Sequence, residues 1–159
     1  MTKRKKILIT LAIVTVIVLA CILSFMFGFR EGIQTGGLTN STAEFMKINQ
    51  HMNDQMSNAN CEGVKQALND YMNVLEKYKD VKGSFISDTE YYGDKMLIHV
   101  RLARIEKHIG NNAEAQQHMN IAKEACGHRQ WTDCSEEKMI LFAKKREENN
   151  PIACLSNEK

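Results

Sequence analysis

Residues 60–79, NCEGVKQALNDYMNVLEKYK, bring Val64, Ala67, Leu68, Tyr71, Met72, Leu75 and Tyr78 round at steps of three and four. That spacing draws one apolar stripe along a helix of about 61–79, with the Asn60 side chain placed as its N-cap. Reading on, Ser87-Asp88-Thr89-Glu90 has the form of a capping box and opens a helix over about 88–109. Its expected core face is Tyr91, Ile98, Leu102, Ile105 and Ile109. Gly110-Asn111-Asn112 reads as a tight turn into a small-residue helix over 113–125, with Ala115, Met119 and Ala122 inward. Asp133 is the expected cap of a last helix over 134–148, whose apolar residues are Met139, Ile140, Phe142 and Ala143. Asn149-Asn150-Pro151 ends it, because proline disfavours helix in the residue before it.

On the other side, Ser41-Thr42-Ala43-Glu44 has capping-box spacing for a helix over 42–56, polar and Met/Asn-rich, which is expected to pack loosely. No stretch alternates with a period of two over a strand's length. The expected fold is therefore all-α, a small antiparallel helical bundle over 42–159.

Residues 7–29, ILITLAIVTVIVLACILSFMFGF, run 23 positions without a charge. As a helix they span about 34 Å, enough for a hydrocarbon core of about 30 Å. The basic run Lys3-Arg4-Lys5-Lys6 precedes the segment and only Arg30 follows it. That bias holds residues 1–6 in the cytoplasm and makes 7–29 a single transmembrane signal anchor. Residues 30–41, with three glycines and no helical period, form a tether, and the rest lies outside, in the periplasm or the extracellular space. The setting is thus the plasma membrane, a bacterial inner membrane in the layout considered. A competing reading takes Val18-Leu19-Ala20-Cys21 as a lipobox-like site and tethers a lipoprotein through Cys21.

The chain of 159 residues carries a formal charge of +2. Five of its 21 Lys and Arg flank the apolar segment, leaving 16 against 19 acids beyond it, a balance of −3. Such a domain offers no basic surface for nucleic acid. GxxxxGK[ST], GxSxG, HExxH and CxxC are absent from the sequence, so no enzyme, cofactor or small-molecule substrate is expected. The carboxylates, Glu136-Glu137 and Glu147-Glu148 among them, read as solvated helix faces.

Four cysteines follow the apolar segment: Cys61, Cys126, Cys134 and Cys154. Spacing alone leaves three pairings open. If four helices run antiparallel in turn, Cys126 and Cys134 meet at one end of the bundle and Cys61 and Cys154 at the other, which selects Cys126–Cys134 and Cys61–Cys154. An alternative assigns Cys126, His128 and Cys134 to a small metal-binding or envelope enzyme domain.

His99-x2-Leu102-Ala103, the turn at Gly110, and Ala115-x3-Met119-x2-Ala122 together resemble one tetratricopeptide repeat over residues 99–125. His99 and Glu106 stand where that family prefers aromatics, and Gly127 where its proline falls. The resemblance implies close helix packing through small residues and a protein-binding surface. The sequence thus leads to the expectation of a membrane-anchored, extracytoplasmic helical module that binds an unidentified protein in an envelope or cell-surface assembly.

Overall fold

The computed structural model describes residues 18–19, 21–24, 42–81, 84, 86–129 and 131–155. The chain divides into two compact units, Met1–Asn40 and Ser41–Lys159. In the first, the described residues are helical, with Val18, Leu19, Ile22 and Leu23 each about half exposed. Among the described residues no helix is long and apolar enough to cross a membrane. The basic N-terminus, most of the 7–29 anchor and the 30–41 tether lie outside the described residues.

All regular secondary structure among the described residues of the second unit is helical. Its elements are α1 (42–58), α2 (Cys61–Tyr78), α3 (Asp88–His108), α4 (Asn112–His128), α5 (Glu136–Arg146) and a short 3₁₀ turn at Ala153–Leu155. Helix α2 begins as its cap requires, the Asn60 side chain accepting from the Gly63 N–H at 2.9 Å. At α3 the full capping box forms, the Ser87 hydroxyl accepting from the Glu90 N–H and the Glu90 carboxylate from the Ser87 N–H. Helix α3 ends in a Schellman arrangement, Asn111 N–H to Glu106 C=O and Gly110 N–H to Lys107 C=O. Gly110 takes φ +89°, the left-handed conformation that this motif needs and that glycine adopts without a Cβ clash.

Helix α3 is the centre of the bundle. Tyr91, Ile98, Leu102 and Ile105 face one core with α1, α2 and the 3₁₀ turn; Met96, Val100 and Ala103 face a second with α4 and α5. A helix buried on both sides cannot be read as a single stripe, and the expected five-residue face captured only the first core. Ile109, expected inward, is 44% exposed because it caps the helix at the turn.

Two further expectations are corrected. Helix α1 does not pack loosely: Met52 and Met56 are buried in the first core, since unbranched methionines can fill irregular gaps between helices. Its Glu44 carboxylate accepts from Lys77 Nζ at 2.8 Å and from the Tyr78 hydroxyl, tying α1 to α2; Ser41, the other half of that capping box, lies outside the described residues. Asp133 is not the cap of α5. Ser135 occupies the N-cap position, and Asp133 accepts instead from the Ser135 N–H at 2.9 Å.

Candidate interaction cleft

The two disulfides fix the ends of the bundle. Cys61 is bonded to Cys154 with Cα atoms 5.2 Å apart, and Cys126 to Cys134 at 5.8 Å, the pairs that antiparallel helix order requires. With both sulfurs so bonded, no thiolates remain beside His128 for the alternative metal reading. His128 is exposed and stacks on Tyr92 at 4.5 Å between ring centroids. Cys21 is exposed and free.

A cleft of about 410 Å³ opens between α1, α3 and α5. Its floor is Tyr71, Asp94 and Arg101, and its mouth carries Arg129, Phe142 and Arg146. The Tyr71 hydroxyl donates to Asp94 Oδ2 at 2.9 Å. Burial pushes the Asp94 carboxyl above the usual range, although the bond from Tyr71 and the charge of Arg101 oppose this. The Tyr71 phenol is raised too, by burial and by the neighbouring Asp94.

Behind the floor, Glu147 holds two arginines. Arg101 Nε donates to its Oε1 at 3.2 Å and Arg104 Nη1 to its Oε2 at 2.6 Å, with all three residues buried. Burial pushes the Arg101 guanidinium down, against the pull of Glu147 and Asp94, yet an arginine in such company stays charged. The expectation that Glu147-Glu148 is solvated is therefore wrong for Glu147. The error has a physical source: helix periodicity places Glu147 only relative to α5, whereas its burial depends on α3 passing close by.

At the mouth, Arg129, Phe142 and Arg146 of the lining form a continuous ladder with Trp131 beside them. The Arg129 guanidinium lies 4.7 Å from the Trp131 ring, Trp131 meets Phe142 edge-on at 4.8 Å, and the Arg146 guanidinium lies 5.2 Å from Phe142. Such alternation combines cation–π attraction with edge-to-face aromatic contact. Arg129 reaches its place because position 93 is glycine, where a Cβ would stand 3.1 Å from the guanidinium carbon. The Cys126–Cys134 bridge closes the loop that carries Arg129 and Trp131.

Two polar clusters inside the bundle are not evident in the sequence. Glu106 accepts from Lys65 Nζ at 2.8 Å and from Asn111 Nδ2 at 2.7 Å; burial alone would raise its pKa, and these bonds outweigh it and hold the carboxyl low. His99 and His118 meet across α3 and α4 with Nδ1 atoms 3.0 Å apart. Both residues stood in the tetratricopeptide-like segment, but only the packing of the hairpin brings them together.

Among the described residues, no group of three or more His, Cys, Asp and Glu is arranged to hold a metal ion. In comparisons with known proteins, no family model, no curated protein and no solved structure matches this chain.

Proposed function

We propose that the protein is a membrane-anchored, extracytoplasmic interaction module that docks an acidic segment of a partner protein on its cationic-aromatic cleft. The single observation that carries the reading is the ladder Arg129–Trp131–Phe142–Arg146 at the cleft mouth. Arginine and tryptophan are the residue types that dominate binding energy at protein interfaces, and planar guanidinium groups match carboxylates in two-pronged fashion. Of the charged residues lining the cleft, Arg101, Arg129 and Arg146 outnumber Glu90 and Asp94. Leu141, the residue before Phe142 in α5, is 59% exposed.

In this reading the 7–29 segment anchors the chain with residues 1–6 in the cytoplasm, and the tetratricopeptide-like hairpin of α3 and α4 serves as the rigid support for the cleft. The two disulfides favour an oxidising compartment for the domain. The test is a photo-crosslinking amino acid at Leu141 of the full chain in native membranes. A discrete protein adduct that disappears on combining Arg129→Glu with Arg146→Glu is the expected result. An adduct indifferent to that charge reversal, or no adduct, overturns the reading.

A further inference from the structure

Helices α3 and α4 make the most extensive contact in the bundle, and in its middle His99 and His118 face each other. Their rings stand 5.2 Å apart at the centroids with planes inclined by 33°, and the two Nδ1 nitrogens lie 3.0 Å apart. Both residues are half-buried, so the pair is fixed by packing and still reached by water.

We propose that His99 and His118 form a two-imidazole site for a divalent transition-metal ion of the copper and nickel class, bound through both Nδ1 atoms with water in its remaining positions. The distance admits a single ion, and the ligand type selects its class. With metal–nitrogen bonds of about 2.0–2.1 Å, two nitrogens at a right angle on one ion lie about 2.9 Å apart, and two at a tetrahedral angle about 3.3 Å. The observed 3.0 Å is compatible with one ion bridging both nitrogens, and imidazole ligands, whose affinity among divalent first-row ions rises through Ni(II) to peak at Cu(II), set the class. Neutral imidazoles are the ligands such ions prefer, and the site needs no proton to leave. When the rings hydrogen-bond, one carries its proton on Nδ1; in the metal complex that proton sits on Nε2 of the same ring, so both Nδ1 lone pairs face the ion.

The surrounding charges admit a cation. The groups acting on the pair are Lys65 and Glu76 from α2, Lys95 and Glu106 from α3, and Glu114 from α4. Lys65 is paired with Glu106 at 2.8 Å and Lys95 with Glu76 at 3.3 Å, so each positive charge is balanced and Glu114 leaves the sum negative. Since the protein supplies two ligands, the ion exchanges readily instead of being locked in as a structural zinc would be. This site is separate from the cationic cleft and stands whether or not the cleft docks a partner.

The test is titration of the full chain in detergent micelles with Cu(II), read by electron paramagnetic resonance and by paramagnetic broadening of histidine ring signals. One saturable site with two imidazole nitrogens, broadening His99 and His118 first, is expected. His99→Gln and His118→Gln should each weaken it at least about tenfold, while the combined change of His51, His108 and His128 to Gln leaves it intact. Should a histidine variant lose its helical signal, the broadening in the unaltered chain decides alone. Broadening centred on any other histidine, or the absence of a saturable site, overturns the proposal.

Discussion

Arg104 and Glu147 are 43 positions apart in the sequence and 2.6 Å apart in the fold, Nη1 to Oε2. Arg101 binds the other oxygen of the same carboxylate, so the end of α5 is locked to the middle of α3. Removing one partner of a buried charge pair costs far more than the pair contributes, because the remaining charge loses its compensation.

Glu147→Ala should therefore destabilise the domain by about 3–5 kcal/mol. Its exposed neighbour gives the control: Glu148→Ala should stay within about 0.5 kcal/mol. Urea unfolding of the full chain in micelles, followed by helical circular dichroism, separates the two. Equal effects would mean that Glu147 is solvated after all.

The disulfides differ in loop size. With a sequence separation of 93, the Cys61–Cys154 bridge constrains the unfolded chain by about 4–5 kcal/mol in the chain-entropy account, against about 2–3 kcal/mol for Cys126–Cys134 at a separation of 8. Cys61→Ser should accordingly lower the melting temperature more than Cys134→Ser. Non-reducing peptide mapping that linked Cys61 to Cys126 or Cys134 would refute the pairing and the helix order with it.

Small residues let α4 approach α3. Ala122 is fully buried, so Ala122→Leu should overpack the hairpin and cost on the order of 1–3 kcal/mol. Ala115 behaves differently, because it borders a cavity of about 180 Å³ that can receive extra methylenes, and Ala115→Leu should cost less. Thermal melting that ranked the two in the opposite order would contradict the observed packing.

Burial alone would raise the Glu76 carboxyl, but hydrogen bonds from Lys79, Tyr91 and Lys95 outweigh it and hold the group at about 2. A carboxyl depressed in the folded state adds stability above its unfolded value, near 4.5, and loses it as pH falls toward about 2. Glu76→Gln should flatten this acid limb. Because the side chain is 38% exposed, solvent screening keeps the effect at neutral pH to about 1 kcal/mol or less. An acid limb of unchanged slope in the variant would show that Glu76 is not so engaged.

Topology has its own test. A reporter fused after Lys159 should be active on the outer side of the membrane, and neutralising Lys3, Arg4, Lys5 and Lys6 together should scramble its orientation. Cytoplasmic activity of the fusion to the unaltered chain would contradict the anchor.

The helices over 60–128 were largely legible because their signals are local. The Asn60 cap, the Ser87–Glu90 box and the Gly110 turn each depend on a few neighbouring residues, and the stripe on α2 repeats over five turns. The cysteine pairing was legible one level up, since short connections force antiparallel order and order brings the helix ends together. Periodicity failed on α3 for a definite reason: with Met96, Val100 and Ala103 facing a second core, it has no single polar face to mark its orientation.

Local signals along the chain by themselves determined the all-helical class of the described domain, the caps and the turn at Gly110. Only the tertiary structure decided the polar interior: the Glu147 clasp on Arg101 and Arg104, the contact of His99 with His118, and the placing of Arg129 over Gly93. A helix cap is satisfied within four residues of itself, so the sequence carries it. A buried charge finds its partner across 40 or more positions, as Glu147 does at separations of 43 and 46, and that distance closes only when the helices pack.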